Sequence, residues 1–440
     1  MGIFTKNILH TFSLQIIGFP LGVLISVIIT RTLGPEGKGI FALAMLIFSL
    51  LSMFAGFGLN QATAYYVANK KYTTREVFGS NIIIASLISI LALGAGLILI
   101  FFFNDTLFPG VKRDYLFLAL LLFPVAYFFE LASQILLGLE KIQSYNNVKF
   151  LTSLIYFFLL AGIFLFSSLT VGLAIAANIL SYVATGIVLF LLVKKEIGKL
   201  TLTLNKGYLK DAFSYGLKVY PASMFYLSRY QINVFLLNMF LNPAAVGFYV
   251  TALGVSEITQ WFSKSTSTVL FPKVAGETNE KNLREFTPII CRNILFITFL
   301  GIVFLFIFAK WVIIILYSRE FLPSIMPFQI ILIGTVAVAG WIILNTDIFA
   351  RGKPMINTYI FGSSVALNTI LNIFLIPRFG IIGASWALTI SYLIMFLITL
   401  IVYAKLSGNK MLDVILIKGS DICYYKNACD GLIRFALRKK

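Results

Sequence analysis

Charge is scarce in this 440-residue chain. Charged residues make up 12% of it, about half the share usual in soluble proteins. Hydrophobic residues make up 59%, and mean hydropathy is +0.94. No soluble globule buries that much apolar surface under so thin a polar exterior. Length alone would suggest two or three soluble domains; composition overrides it and points to a polytopic membrane protein. Histidine is nearly absent: a lone His10 excludes His-based triads and multi-His metal centres. The cysteines are Cys291, Cys423 and Cys429, an odd number without ligand spacing, so neither a disulfide framework nor a zinc site is expected. Walker A, dinucleotide-fingerprint and H-E-x-x-H motifs are all missing, so no ATPase is built in and no enzyme activity is expected. Acidic residues are short as well, 17 against 35 Lys and Arg, for a net charge of +18. Basic chains can bind nucleic acid. Here the charge lies between apolar runs, so membrane topology is the expected use and nucleic acid is not an expected partner.

What is present is a series of apolar runs. A spanning helix needs about 20 mostly apolar residues. Twelve such runs are expected, at 11–31, 39–62, 79–103, 115–138, 147–167, 170–193, 213–240, 245–271, 288–317, 323–349, 357–376 and 380–404. The N-terminal stretch lacks a cleavable signal sequence and runs directly into the first of them. With both termini cytoplasmic, 24 of the basic residues fall in cytoplasmic segments and 6 on the other side. That asymmetry favours N-in and C-in with an even number of spans. Five remain near membrane depth: Lys218, Arg229, Lys264, Arg292 and Lys310.

The chain repeats itself. Leu33-Gly-Pro35-Glu-Gly-Lys-Gly39-Ile-Phe41-Ala-Leu-Ala44 resembles Leu241-Asn-Pro243-Ala-Ala-Val-Gly247-Phe-Tyr249-Val-Thr-Ala252 at an offset of 208. Ala174, Ala177, Ser181 and Tyr182 recur as Ala384, Ala387, Ser391 and Tyr392. The expected architecture is all-α: a six-helix bundle over 1–193, a cytoplasmic linker at 194–212, a second, pseudo-symmetric six-helix bundle over 213–404, and a basic tail at 405–440. Repeats of an even number of spans enter the membrane in the same direction. In transporters built this way, substrate sits near the midplane and the halves rock around it.

Polar residues inside a membrane normally face the bundle interior or a water-filled cavity. Span 8 carries Glu257, Gln260, Lys264 and Thr268 at helical spacing. The equivalent positions of span 2 are Ser49, Ser52, Gly56 and Asn60. Span 7 places Tyr215, Lys218, Tyr226, Arg229 and Asn233 at one angular position. Arg229, near the middle of its span, is costly there. Its planar fork suits phosphate; the structural alternative is a pair with Glu257 or Asp347. Lys218 and Lys264 either bind substrate or snorkel. Arg292 and Arg31 are expected to snorkel from helix ends. The acids Glu130, Glu257 and Asp347 either bind a coupling H⁺ or Na⁺ or neutralise a basic neighbour. The apolar segment 411–417, flanked by Lys and Arg, is expected to lie on the membrane surface.

These residues carry a resemblance. The run from Arg31 to Leu43 after a first apolar helix, the block Gly58-Leu-Asn-Gln-Ala-Thr-Ala-Tyr-Tyr-Val-Ala68, and the Gly352-Lys353 turn are similar to those of the polysaccharide flippases. These are the O-antigen and capsular-repeat exporters of the multidrug/oligosaccharidyl-lipid/polysaccharide superfamily. The resemblance implies transport of a polyprenyl-pyrophosphate-linked oligosaccharide from the cytoplasmic to the outer leaflet of a bacterial inner membrane, by alternating access through a cationic cavity. It implies a monomer working beside polysaccharide polymerase machinery, with no resident cofactor. Arg229, Lys218 and Lys264 would then contact the pyrophosphate and acidic sugars, with Tyr226, Asn233, Gln260, Asn60 and Ser52 receiving sugar rings. The competing expectation is a cation-coupled multidrug exporter of the same superfamily. Such a pump needs an acidic site, whereas cations outnumber acids here at membrane depth.

Overall fold

The computed structural model describes residues 3–199, 201–277, 279–419 and 421, with side chains except at 3–9, 222, 226, 272, 280–283 and 354. Every regular element among them is helical. Two compact units result. One runs to Thr251 and adds Ile313–Ser324 and Asn372–Ile381; the other holds Ala252–Val312, Ile325–Leu371 and the chain from Ile382 onward.

The first unit is built from α1 (Ile3–Ala55), α2 (Leu59–Ala68), α3 (Thr74–Leu107), α4 (Arg113–Gly138), α5 (Ile142–Phe166), α6 (Val171–Ile197), α7 (Lys206–Phe240) and the first two turns of α8 (Pro243–Ser256). The second continues through a 3₁₀ turn at Glu257–Gln260 into α9 (Trp261–Gly276) and α10 (Glu280–Ile307). It then takes in most of α12 (Ile325–Ala350) and α13 (Pro354–Ser407), ending in the short α14 (Met411–Ile415). Of the helix α11 (Ala309–Tyr317), residues to Val312 belong to the second unit and those from Ile313 to the first.

Eight described helices are long and apolar enough to cross a membrane. Two of the eight each contain a pair of the expected runs. α1 bends at Gly34 (φ 66°) and α13 at Gly380 (φ 58°), left-handed positions that glycine adopts without strain. The runs missing from the eight are α7, interrupted by Lys218 and Arg229, and the α8–α9 stretch, split by the 3₁₀ turn. Exposed side chains such as Leu91, Phe102 and Phe166 (73%, 78% and 91% exposed) give these helices an apolar outer surface. Helix starts use ordinary capping. Thr73 Oγ1 accepts from the Glu76 N–H while the Glu76 carboxylate accepts from the Thr73 N–H, a capping box that opens α3. Helices α6 and α7 extend into the expected linker and leave only 198–205 outside them. That short strap is tied to α3 through Ser80, which donates to the Thr203 carbonyl (3.2 Å) and accepts from the Asn205 N–H (3.0 Å).

The sequence repeat meets itself inside the first unit. A Cβ on Gly39 would fall 2.5 Å from the Pro243 carbonyl carbon and 3.0 Å from the Gly247 nitrogen. A Cβ on Gly247 would fall 2.9 Å from the Pro35 carbonyl carbon and 3.1 Å from the Gly39 nitrogen. Pro35 and Pro243, like Gly39 and Gly247, are equivalent positions at the offset of 208. The contact is therefore reciprocal, backbone against backbone. Arg31 in the same motif is exposed. Its guanidinium donates to the carbonyls of Leu316 (2.8 Å) and Ile315, capping the last turn of α11.

Arg292 departs from the snorkelling expectation. It lies buried in α10 and grips the Asp421 carboxylate with two guanidinium nitrogens, while a third nitrogen donates to the Asp413 carbonyl (3.2 Å). Val414 of α14 is fully buried in an apolar cluster with Cys291, Ile294 and Leu295 of α10. The start of the tail is thus docked on α10; its remaining basic residues, with Cys423 and Cys429, lie outside the described residues.

Candidate functional site

The site begins with a helix that stops early. Span 2 was expected to run unbroken to residue 62, but α1 ends at Ala55. Phe57 (φ 45°) and Gly58 (φ 69°) turn the chain before α2 starts at Leu59. The break is packed on α7: a Cβ on Gly58 would lie 2.6 Å from the Gly216 Cα. A broken helix leaves carbonyls without intrahelical partners. Two tyrosines satisfy them. Tyr220 OH donates to the carbonyls of Ser52 (3.2 Å) and Met53, and Tyr127 OH donates to that of Ala55 (3.3 Å). Interrupted helices at membrane depth are tolerated where the freed backbone lines a cavity, and they mark the binding sites of several transporter folds.

Such a cavity is present, with a volume of about 160 Å³. Ser52, Gly56, Asn60 and Gln61 from the break, Tyr127 and Glu130 from α4, and Tyr220 and Ser223 from α7 form its hydrogen-bonding or close-packed wall. Phe48, Ala126 and Leu227 supply apolar surface. Gln61 Nε2 donates to Ser223 Oγ at 3.3 Å. The buried Asn60 Oδ1 accepts from no described group.

Glu130 is paired with Lys149 of α5 at 3.2 Å. Lys149, one of the basic residues counted on the cytoplasmic side, neutralises an acid of the bundle. The signal was in the numbering. Glu130 and Lys149 lie at nearly the same distance on either side of the α4–α5 turn at 139–141, and positions so related in a helical hairpin come close to each other.

The other expected site residues are placed as follows. Arg229 is 5% exposed, with its guanidinium over the Tyr230 ring at 4.4 Å and a bond to the Tyr230 hydroxyl. Asn233 is buried beside it, donating to the Arg229 carbonyl (2.7 Å) and accepting from Asn372 (2.7 Å). Neither lines the cavity. Lys218 is exposed, and the Tyr226 side chain lies outside the described residues. In the second unit Gln260 is buried, Glu257 half-buried, and Lys264 and Thr268 exposed. The expected single face is split because a 3₁₀ turn advances about 120° per residue rather than 100°. Asp347 is fully buried and committed, to Thr287 Oγ1 at 2.6 Å and to Arg351 one turn along.

Below the cavity, α2 and α7 are held together by a tyrosine cluster. Tyr65 stacks on Tyr215 (4.6 Å), and Tyr66 and Tyr72 pack edge-on against Tyr208. At its rim Asp211 accepts from Lys71 Nζ (2.5 Å) and Tyr72 OH (2.6 Å). The Lys71 ammonium, then the Tyr72 hydroxyl, hold the Asp211 carboxyl below the usual carboxylate range, and the same bond raises Lys71.

Comparison with known proteins agrees with this architecture. The family described as polysaccharide biosynthesis protein matches residues 4–276. The probable low-salt glycan biosynthesis flippase Agl15 of Haloferax volcanii is 25% identical over 410 residues, covering 88% of this chain and 80% of that protein. An uncharacterized membrane protein of Methanocaldococcus jannaschii is 25% identical over 428 residues, covering 90% and 82%. Among solved structures, the lipid II flippase MurJ in an inward closed conformation superposes with a TM-score of 0.75 at 17% identity, over 92% of this chain and 88% of that one. An inward-facing multidrug resistance transporter of the MATE family, in the MOP superfamily, gives 0.69 at 18%, over 88% and 94%. At these identities the structures establish a shared fold. The matched stretch contains the Arg31–Ala44 motif, its repeat, and every residue lining the cavity, and by that match the chain belongs to the polysaccharide biosynthesis protein family.

Proposed function

We propose that this protein is a flippase that carries a polyprenyl-pyrophosphate-linked oligosaccharide, such as an O-antigen or capsular repeat unit, from the cytoplasmic to the outer leaflet by alternating access. In this reading it crosses the membrane twelve times, with both termini cytoplasmic, and works as a monomer beside polysaccharide polymerase machinery. The carrying observation is the cavity at the α1–α2 break: a membrane-depth site walled by hydroxyl, amide and aromatic side chains, in a chain of a polysaccharide biosynthesis family. The name of the Haloferax relative, a probable glycan biosynthesis flippase, supports a glycan as cargo. Both curated relatives are archaeal, so the membrane assigned is a cytoplasmic membrane in general, the bacterial inner membrane being one instance. Lys218 and Arg229 of α7 and Lys264 of α9 are assigned to the pyrophosphate. The acids Glu130, Glu257 and Asp347 serve either a coupling H⁺ or Na⁺ or charge pairing, and pairing is the reading for Glu130 with Lys149 and Asp347 with Arg351.

The test is reconstitution into proteoliposomes holding a polyprenyl-pyrophosphate oligosaccharide, with leaflet exposure read by an impermeant glycosidase. Time-dependent exposure above empty vesicles is expected. A protein that leaves exposure at background, while a deletion strain becomes sensitive to cationic drugs and keeps its surface glycan, would be a multidrug exporter instead.

A further inference from the structure

The cavity differs from the cationic chamber expected of an anion carrier. None of its described lining residues is basic, and the only charged one is Glu130. Its partner Lys149 is not among the lining residues, so the ion pair presents its carboxylate end to the cavity. The volume of about 160 Å³ corresponds to roughly five waters at about 30 Å³ each. That is room for one sugar ring, not an oligosaccharide. Hydrogen-bonding capacity is spare at the buried Asn60 Oδ1, and the long Gln61–Ser223 bond (3.3 Å) is easily exchanged for a ligand hydroxyl. The Tyr127 and Tyr220 rings are fixed at the wall because their hydroxyls hold the broken end of α1. Fixed aromatic rings with a few placed polar groups are the usual makeup of a small-molecule site.

We propose that this cavity is a subsite for a single uncharged or amino-bearing pyranose ring of the transported glycan, with Asn60 accepting from a ring hydroxyl and Glu130 excluding acidic sugars and the pyrophosphate. The inference rests on the flippase reading and deepens it: recognition is divided, with the sugar read at the α1–α2 break and the anionic anchor held elsewhere. It also gives the Glu130–Lys149 pair a role in selectivity, since Lys149 holds the carboxylate in position without facing the cargo.

The experiment uses the full chain in lipid nanodiscs free of glycoside detergents. Saturation-transfer NMR is recorded with methyl glucoside, methyl 2-amino-2-deoxyglucoside and methyl glucuronide, each with inorganic pyrophosphate as competitor. The first two are expected to bind, and the glucuronide at least tenfold more weakly. Pyrophosphate should not displace them. Asn60→Leu and Ser52→Ala should each weaken binding several-fold without shifting the melting temperature. The double variant Glu130→Gln/Lys149→Met, which avoids leaving Lys149 without its partner, should bring the glucuronide up to the neutral glycoside. Equal binding of the glucuronide by the unmodified protein, displacement by pyrophosphate, or unchanged binding in both Asn60→Leu and Ser52→Ala would overturn the subsite. The proteoliposome assay separates the two claims. Flipping without glycoside binding sinks the subsite and keeps the flippase; glycoside binding without flipping sinks the flippase and keeps a sugar site.

Discussion

The reciprocal crossing at Gly39 and Gly247 makes a quantitative prediction. Comfortable carbon–carbon contact lies at about 3.5–4.0 Å. A Cβ on Gly39 would stand 2.5 Å from the Pro243 carbonyl carbon, so Gly39→Ala must push the two segments apart by at least about 1 Å. Both obstructing groups are backbone, so no side chain can swing aside. Overpacking of this kind costs about 1–3 kcal/mol, occasionally more, and about 3 is expected here. Unfolding entropy of about 2.1 cal/mol/K per residue over 440 residues converts each kcal/mol to about 1 °C. Gly39→Ala and Gly247→Ala should therefore each lower the melting temperature by about 3 °C. One separation relieves both clashes, so the double variant should fall well short of the sum, with a coupling of about 1–3 kcal/mol. Gly94→Ala and Gly162→Ala, where a Cβ meets nothing, serve as controls and should be neutral or slightly stabilising through helix propensity. Melting followed by fluorescence-detected size exclusion measures all five. Additive losses, or a Gly39→Ala variant that melts with the controls, would refute the reasoning.

Other predictions follow from single contacts. Asp421→Ala strands Arg292 in a buried site and should cost about 3–5 kcal/mol, seen as proteolysis of the tail at a protease dose the parent withstands. Thr73→Ala removes an N-cap and should cost about 1 kcal/mol, a melting shift near 1 °C. Asp211 has a lowered carboxyl pKa, so its contribution is fully present above the ordinary value of about 3.9 and is lost as pH falls through the folded one. The melting gap between the parent and Asp211→Asn should thus be constant from about pH 5 to 8 and close on acidification below about pH 4. Arg229→Ala should abolish glycan exposure in proteoliposomes at normal membrane levels of protein; full exposure would remove Arg229 from the mechanism.

Much of this fold was legible because hydropathy and turn chemistry are local. The apolar runs fall mostly on helical segments, with breaks inside 39–62, 245–271 and 288–317, and Gly34 and the repeat at offset 208 were visible as sequence. The Gly34 bend kept two runs in one assigned helix, a matter of geometry at one residue. What composition hides is pairing across distance. Lys149 reads as a loop cation until the hairpin brings it to Glu130, and Arg292 reads as an end-of-helix cation until the tail returns with Asp421. The Ser52, Gly56 and Asn60 series was found by subtracting the repeat offset, and it does line the cavity. Arg229 and Asn233 sit at the matching angle on α7 but are turned into contacts with Tyr230 and Asn372, because rotation of a helix about its axis is set by its neighbours and not by its own periodicity.

The crossing of the two motifs has a further consequence. In a twofold-symmetric dimer, a residue of one protomer meets its counterpart's neighbour, and the reverse holds at once. Pro35 against Gly247 and Pro243 against Gly39 obey that rule within one chain. Before the two copies diverged, a half-length protein could have made this joint with a second copy of itself. Today's asymmetry, with Glu36 and Lys38 on one side and two alanines and a valine on the other, is then the freedom that covalent linkage gave: each side could change alone while the glycines at the axis could not.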